Sequence, residues 1–541
     1  MKTAYFHGRV YTGGLPLKEA FTVEDGCFCT VGSDEEILSS LTSEDRRVDL
    51  TGHFVCAGFN DSHMHLLNFG QSLKSAPLAE HTASLSDLLA FLRTFLNQNP
   101  PRPGYWLIGR GWNQDYFSDV RRMPDRFDLD NVSRTVPIQI TRACGHSCVL
   151  NSLALDIAGI DRNTPDPEGG TIGRDENGNP DGRLYENAID LLETVKPQPD
   201  KQELKEMLRS AMVEVNRYGI TSVQSDDYST FREISWQLVN EAYRELEAAG
   251  EMTVRVTEQS NFTELSALKQ FIEAGNVTGT GSDFFRIGPL KMLGDGSLGS
   301  RTAHLSMPYL QGDGDQGFSL FTPGVMKQMI AFAHCHGMQT AVHAIGDACL
   351  DEVLDAVEEA VRADPRPDHR HGIVHCQVSR KDQLERIARL GMHVYAQSIF
   401  LDYDNHIVEK LVPSELAEWS YSWKSLLKKG VSVSNGSDCP VELPNVMAGI
   451  RCAVTRQSLD GTGPFHLREA FTVQEALDSF TSAGARASFE ENKKGRILEG
   501  MLADFVILSE DPFLTDPCRL HSIAVLAAFL GGRRVFDSGL L

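Results

Sequence analysis

Short apolar runs alternate with longer amphipathic stretches over most of the chain. Eight of these runs are predicted to be buried strands: Val55–Phe59, Thr221–Gln224, Thr253–Thr257, Arg286–Leu293, Gln339–His343, Gly372–His375, His393–Ala396 and Val431–Ser434. Amphipathic stretches such as Lys201–Arg217, Tyr228–Ala249 and Gly324–His336 separate most of them, which is typical of a parallel α/β fold. Eight parallel strands with helices predict a (β/α)8 TIM-like barrel, whose active site lies at the C-terminal ends of the strands.

Both ends of the chain are strand-like instead. Short apolar runs flank the turns Asp25-Gly26 and Thr51-Gly52 near the N-terminus, and similar runs surround Gly531-Gly532 near the C-terminus. Because chain termini commonly lie close together in space, we predict one composite β-sandwich formed by residues 1–57 and 490–541.

The interval between the first two predicted barrel strands is too long for a simple helical return. It contains two strand signals, Tyr105–Ile108 and Pro137–Thr141, and a stretch rich in Gly, Pro and Asn from Asn163 to Gly182. Loops of such length usually carry their own structure or a function. We therefore predict an inserted α/β subdomain at residues 72–200 near the barrel mouth, and a barrel built from residues 58–71 and 201–489.

Composition narrows the class of protein. The 541 residues exceed one ordinary core, and the net charge of -23, without a long basic cluster, argues against a nucleic-acid partner. This acidity does not imply a cationic substrate, because surface acidity usually serves solubility. No apolar run approaches the roughly 20 residues of a membrane helix. The N-terminus lacks an apolar signal region and the 11 cysteines are scattered, so we expect no membrane association and a cytoplasmic location.

Histidines stand where a barrel places its active site. His63 and His65 are two residues apart just after an apolar run, so on an extended segment both rings point the same way and can reach one metal ion. The alternative is a pair of histidines that hydrogen-bond within a loop. His343 and His375 each end a predicted strand, and two such residues on consecutive strands favour metal binding over ordinary core packing. His371 is a rival ligand that ranks lower because it lies deeper in the strand.

Lys291 and Asp438 extend this series. A lysine on a buried strand is unusual unless it is paired or modified. Lys291 therefore either forms an ion pair with Asp295 or is carbamylated by CO2, which turns its amine into a carboxylate-like bridge between two metal ions. Asp438 follows the eighth strand. It is either a helix N-cap or a metal-linked carboxylate that takes a proton from water and passes it to a leaving group.

The ordered series His-x-His, Lys, His, His, Asp over a predicted barrel resembles the amidohydrolase superfamily of metal-dependent hydrolases. Several further blocks resemble the branch that contains the N-substituted formamide deformylases: Gly109–Trp112, His146 with Asn151–Leu155, Asp295–Ala303, His343–Asp347, Gly436–Glu442 and Gly500–Leu508. The resemblance runs nearly from end to end. One departure is Ser398, which follows Gln397 where this branch commonly has proline.

The resemblance implies a role for each ligand candidate. His63 and His65 would hold the more buried metal ion, carbamylated Lys291 would bridge two ions, and His343 with His375 would hold the more exposed ion. Asp438 would touch the buried ion and act as the catalytic acid and base. The metal expected from the resemblance is Zn2+, as two ions, with other divalent metals as an alternative.

Three residues outside the ligand series are candidates for substrate binding. His146 lines the substrate pocket or makes a structural hydrogen bond. Trp112 forms a pocket wall or belongs to an ordinary core. Arg301 contacts the substrate or pairs with an acid.

These observations predict a hydrolase of C–N bonds other than peptide bonds, acting on a small-molecule amide, N-acyl or N-formyl compound through a metal-activated hydroxide. An ester or lactone hydrolase stays an alternative, because the same activated water attacks esters. A mononuclear deaminase is disfavoured, since such enzymes carry glutamate where this chain has Gly346. A non-catalytic scaffold is disfavoured because no ligand is lost. The oligomeric state is open, with a homodimer as one option.

Overall fold

A computed structural model describes residues 2–143, 146–192, 195–231, 233–311 and 314–540. The chain forms two compact units. The first comprises Met1–Phe69 with Leu208–Leu541, and the second comprises Gly70–Met207. In the part of the chain that the structure describes, no helix has the length and apolar composition needed to cross a membrane.

A parallel barrel forms the centre of the first unit. Within the described residues its strands, in chain order β1 to β8, are Phe59–Met64, Ile220–Ser225, Arg255–Asn261, Phe285–Leu293, Thr340–Ala344, Gly372–His375, His393–Ala396 and Ser432–Asn435. Each strand pairs in parallel with the next. The first and last strands of the barrel are connected by hydrogen bonds between β1 and the segment after β8. Asp438 N donates to His63 O at 2.8 Å, and His65 N donates to Cys439 O at 2.8 Å. The predicted (β/α)8 fold is thereby confirmed.

Helices connect the barrel strands and follow the last of them. The longer ones are Lys201–Arg217, Trp236–Ala248, Leu265–Glu273, Pro323–Cys335, Asp347–Ala363, Lys381–Leu390 and Val446–Thr455. The shorter ones are Leu66–Ser72, Leu401–Asp404, Val408–Leu411, Ser414–Ala417, Trp423–Lys428, Val473–Ser479 and Ser482–Ala487.

The first barrel strand begins later than the sequence pattern predicts. The apolar run Val55–Phe59 is divided: Phe54–Ala57 pairs with Phe505–Leu508 in the sandwich, and β1 starts at Phe59. Gly58 lies at the junction, where a Cβ atom would lie 2.1 Å from Thr221 Oγ1. Only glycine therefore lets the chain pass from the sandwich into the barrel at this point. The shift places His63 inside β1 rather than beyond it.

The sandwich combines both ends of the chain, as predicted. Its first sheet contains, in spatial order, Cys27–Gly32, Ala20–Glu24, Thr3–Phe6 and Arg46–Asp49, and its second contains Arg9–Val10, Phe54–Ala57, Phe505–Leu508, Val525–Leu530 and Arg533–Asp537. The helix Asp34–Ser39 packs beside the first sheet. Tyr5 and Phe21 from the N-terminal part each lie 5.1 Å from the ring of Phe505, which stacks on Phe529 at 4.3 Å. These aromatic side chains form a shared core, so neither end can bury its apolar face without the other.

A buried ion pair joins the barrel to the sandwich. Arg255 in β3 donates from Nε to Asp504 Oδ2 at 2.7 Å and from a terminal guanidinium nitrogen to Oδ1 at 3.0 Å, and both side chains are 4 % exposed. Such a two-point pair is geometrically specific, and neither charge can be left alone in this environment.

We therefore expect Arg255→Ala to lower the free energy of unfolding by about 3–5 kcal/mol, because Asp504 would stay buried without a cation. Urea unfolding measures this change. Arg534→Ala is the matched control, since Arg534 forms an exposed pair with Asp537 in the same sandwich and is expected to change stability by less than about 1 kcal/mol. Equal losses in the free energy of unfolding for the two variants would contradict a special contribution of the buried ion pair to stability.

The second unit is built around a mixed sheet. Among its described residues the spatial order of strands is Gly170–Arg174, Pro180–Glu186, Ser147–Leu150, Ile138–Arg142, Leu107–Trp112 and Ala76–Pro77. The helices Leu85–Gln98, Arg126–Asp130 and Ser152–Ala158 complete the unit, with short 3-10 turns at Gln114–Tyr116 and Asn187–Leu192. The chain enters this unit after β1, which agrees with the predicted insertion of an α/β subdomain.

Candidate metal centre

Three of the predicted ligands converge at the C-terminal end of the barrel. His65 Nε2 lies 3.1 Å from Asp438 Oδ1, and His63 Nε2 lies 3.3 Å from the same oxygen. Among the described residues, these three form a group whose potential ligand atoms all lie within 4.8 Å of one another. Two imidazole nitrogens and one carboxylate oxygen around one point are a donor set that divalent zinc prefers.

Neighbouring groups fix the rings of these histidines. His63 Nδ1 contacts Gln259 Oε1 at 2.6 Å, and His65 Nδ1 contacts the carbonyl oxygen of Asp226 at 3.0 Å. When Nδ1 donates to such an acceptor, Nε2 is the unprotonated nitrogen that can bind a metal ion. The residues present therefore fit a metal ion at His63, His65 and Asp438.

The backbone holds Asp438 in an uncommon conformation. Its φ of 59° lies in the left-handed region, which a residue with a side chain adopts only when its surroundings require it. Asp61 provides part of this support, since its carboxylate accepts from Ser437 Oγ at 2.5 Å and from Ser437 N at 3.0 Å. Gly436 is needed as well, because a Cβ atom there would lie 2.5 Å from His63 N.

His375 and His343 form the adjacent part of the site. Their ring centroids are 4.4 Å apart, and the ring of His375 lies 5.6 Å from that of His63. His375 Nδ1 contacts Gln397 Oε1 at 2.8 Å, which leaves His375 Nε2 as the ring nitrogen that can bind a metal ion. In contrast, His343 Nε2 contacts Gly296 O at 3.0 Å, so His343 would have to release this carbonyl to bind a metal ion through the same nitrogen.

Lys291 is buried beside the same ligands. It is 2 % exposed, and its Nζ lies 3.7 Å from Asp226 Oδ2. The alternative pairing of Lys291 with Asp295 is not what the structure has, because Asp295 accepts from the backbone of Ile345 and Gly346 at 3.0 and 2.8 Å. Lys291 and His65 therefore both contact Asp226, so the position of the Lys291 side chain depends on that of His65.

The surroundings shift the pKa values of His65 and His375 in opposite directions and also shift that of Asp438. Burial alone lowers the pKa of His65, but its hydrogen bond to Asp438 and the charge of Asp226 raise that pKa to about 9. Burial and the neighbouring His343 instead hold the pKa of His375 well below its ordinary value. Burial tends to raise the pKa of Asp438, yet the contacts with His63 and His65 outweigh it and hold the pKa well below the usual range. The site thus favours a carboxylate with a positive charge beside it, which is what a bound cation supplies.

The structure does not bring the other predicted residues into this group. His371 contacts His334 Nδ1 at 2.8 Å within a separate histidine cluster. Arg301 is exposed and donates to Gln311 O at 2.5 Å in its own loop. In the second unit, Trp112 is fully buried in an apolar cluster, and exposed His146 contacts Glu186 Oε2 at 2.9 Å. Substrate binding by His146, Trp112 and Arg301 stays a prediction.

A cavity of about 190 Å³ adjoins the ligands. Its wall includes Phe400, whose ring stacks on His375 at 5.8 Å, and Val441, whose N–H donates to the Asp438 carbonyl at 2.9 Å. A larger cavity of about 440 Å³ includes Gly26 of the sandwich and Arg255 at the start of β3. Because barrel chemistry takes place at the C-terminal ends of the strands, the smaller cavity is the candidate substrate site.

Sequence reasoning missed the groups that orient the ligands. Asp226 and Gln397 lie just beyond the C-terminal ends of β2 and β7, Gln259 lies within β3 two residues before its end, and all three are fully buried. For Asp226 and Gln397 the available signal was a polar residue just after a buried strand, which is close to the signal that selected His343 and His375, whereas Gln259 had no such signal. The sequence does not show which polar side chain faces which histidine ring.

Comparison with known proteins identifies the family. The profile described as the amidohydrolase family matches residues 46–536. The chain belongs to the amidohydrolase family. It is therefore a metal-dependent hydrolase of the amidohydrolase superfamily, and the fold and family resemblance predicted from sequence are confirmed.

Individual relatives match over almost their whole length. The chain is 32% identical to a putative amidohydrolase, YtcJ, of Bacillus subtilis, covering 99% of this chain and 100% of the relative. It is 27% identical to the N-substituted formamide deformylase of Arthrobacter pascens, covering 95% and 94%. An uncharacterised metal-dependent hydrolase from Pyrococcus horikoshii superposes with a TM-score of 0.79 at 25% identity, covering 96% of this chain and 99% of that structure.

Proposed function

We propose that this amidohydrolase cleaves a C–N bond other than a peptide bond, in a small N-acyl or N-formyl amine. The observation that carries the proposal is the convergence of His63, His65 and Asp438 within 4.8 Å at the barrel end. The relative named N-substituted formamide deformylase supports a C–N bond as the target.

The cofactor in this proposal is a pair of zinc ions. His63, His65 and Asp438 would hold the first ion, His343 and His375 the second, and Lys291, carbamylated, would bridge them. When bound, zinc lowers the pKa of water to about 7 and polarises a substrate carbonyl. The pairs His63–Gln259 and His375–Gln397 would keep the ring nitrogens in the tautomer required for this role.

Asp438 performs the proton transfers in this proposal. Its Oδ1 faces two imidazole rings, and its low pKa keeps it ionised at neutral pH, so it can accept a proton from water. The water oxygen would add to the substrate carbonyl carbon, and as the C–N bond breaks the same atom would deliver the proton to the departing nitrogen, which leaves as a neutral amine. The adjoining cavity holds the remainder of the substrate beside the ligands and away from bulk water.

A substrate screen tests the proposal. The zinc-loaded protein is assayed with matched N-formyl, N-acetyl and carbamoyl derivatives of one amine, and with the formyl ester of the corresponding alcohol. We expect hydrolysis of at least one amide with an appreciable kcat/KM. Turnover of the ester alone would replace the proposal with an ester hydrolase.

We also propose that the inserted subdomain governs substrate choice rather than chemistry. His146→Ala is expected to change KM, or the ranking of substrates, while metal content stays the same. The reason is that the residues surrounding a substrate set specificity, whereas the barrel ligands set the chemistry. His81→Ala in the same unit is the control, since His81 stacks on Phe91 and contacts Asp87 instead. Metal loss with an unchanged ranking would contradict this role for His146.

Two further proposals concern the protein in the cell. No cysteine of the described residues forms a disulfide, which supports the proposed cytoplasmic location. A homodimer is the oligomeric state that we propose to test by light scattering.

A further inference from the structure

The cavity beside the metal ligands has an apolar part and a polar part. Leu298, Ile345 and Phe400 contribute apolar surface, while Tyr403 and Val441 lie exposed at its edge. The polar lining includes two carboxylates, Asp404 and Glu442, and the amide of Gln377. A group that binds here has to match both parts.

Asp404 presents one oxygen to the protein and the other to the cavity. Its Oδ2 accepts from Tyr421 Oη at 2.6 Å and faces Gln377 Nε2 at 3.4 Å, although the residue is only 8 % exposed. In the part of the chain that the structure describes, its Oδ1 has no hydrogen-bond donor within reach. Since Asp404 Oδ1 is not one of the fully buried unpaired atoms of the described residues, it is open to the cavity that Asp404 lines and is available to accept a hydrogen bond from a bound group.

Gln377 provides a second, independent acceptor. It is 3 % exposed, it lines the cavity, and its amide nitrogen is directed to Asp404. No described residue donates to its Oε1. The cavity therefore offers unused acceptors on two almost fully buried side chains, with no described lysine or arginine among its lining residues.

The carboxylates also repel each other. Burial raises the pKa of Asp404 to about 6. Burial, together with the negative charges of Asp402 and Asp404, raises the pKa of Glu442 to about 7. A cation between Asp404 and Glu442 would relieve this repulsion and satisfy the unused acceptors at once.

We propose that the cavity binds a cationic group of the substrate, a guanidinium or a primary ammonium carried on a short apolar chain, through Asp404, Glu442 and Gln377. The inference rests on the proposed function and adds the substrate class: amides whose other end is a cation. The apolar walls take the chain, and the acceptors take its N–H groups.

Binding of an isosteric pair tests this inference with a readout that does not require turnover, and butylurea, a carbamoyl amine like those of the substrate screen, is checked for hydrolysis under the same conditions. Butylguanidinium and butylurea have nearly the same shape, but only the first is charged, and as a cation it has no lone pair for a metal ion. Their affinities for the zinc-loaded protein are measured by calorimetry at a pH above both raised pKa values. We expect the cation to bind at least ~10-fold tighter than the urea.

Variants locate the effect. Asp404→Asn is expected to weaken butylguanidinium binding by about 10- to 100-fold while leaving butylurea nearly unchanged, because a hydrogen bond to a charged group is lost. Glu442→Gln, at a half-buried position that tolerates substitution better, is expected to act in the same direction. Glu409→Gln removes the same charge from an exposed position and is the control.

The outcomes separate this inference from the proposed function. Equal affinities for the two probes, or equal losses in Asp404→Asn and Glu409→Gln, would overturn the cationic site even if the protein hydrolyses amides. Selective binding of the cation that depends on Asp404 would support it. If that selectivity appears and no amide is hydrolysed in the substrate screen, the cation site stands and the proposed reaction fails.

Discussion

Asp438→Asn is expected to lower kcat by about 10² to 10⁴ while the fold and the metal content are retained. The asparagine side chain has nearly the same size and keeps an oxygen that can face His63 and His65, so binding of a cation does not require the original charge. It cannot accept a proton from water and return it to a leaving nitrogen, and this loss affects turnover rather than assembly.

Steady-state kinetics and metal analysis on the same preparation measure both quantities. The control is Asp130→Asn, which alters a buried carboxylate that accepts from Ser152 N and Oγ, outside the ligand set. We expect that variant to retain most of its turnover. A near wild-type kcat in Asp438→Asn would assign proton transfer to a different group.

Lys291→Met is expected to reduce the metal content from about two ions per chain to about one, and to remove most activity. Methionine fills a similar volume but cannot be carbamylated, so a bridging ligand would be lost while His63, His65 and Asp438 remain. The ratio is measured by elemental analysis after loading with zinc and bicarbonate, and mass spectrometry under native conditions reports the carbamate directly.

Lys494→Met is the matched control for this substitution. Lys494 is also almost fully buried, and it pairs with Glu490 at 2.8 Å rather than with the ligand cluster. It is expected to lose stability but to keep its metal ratio. If the wild-type protein holds a single ion and an unmodified Lys291, then its ion pair with Asp226 is the resting arrangement and the centre is mononuclear.

The location of negative charge shows how sequence and structure differ in what they determine. A net charge of -23 says nothing about substrate, because most acidic side chains lie in water. Folding selects two of them, Asp404 and Glu442, and places them in one small cavity. The inference of a cationic substrate depends on the position of these two carboxylates and not on the net charge of the chain.

The fold class and the family were readable from the sequence alone, whereas metal binding by the predicted ligand series stays a prediction. Apolar runs report burial directly, because a strand covered on both faces has to be apolar along its length. A histidine or aspartate that ends such a run is placed by the barrel's own geometry at its C-terminal end. For that reason the sequence alone predicts that His63, His65 and Asp438 lie close together.

Only the tertiary structure decided the start of β1, the orientation of the rings and the partner of Lys291. Each of these depends on contacts between residues far apart in the chain: Gly58 against Thr221, His63 against Gln259, and Lys291 against Asp226. Periodicity and spacing describe neighbours within one element, and they contain no information on which side chain of a distant strand faces a given atom. Three-dimensional packing supplies that pairing, and with it the chemistry of the site.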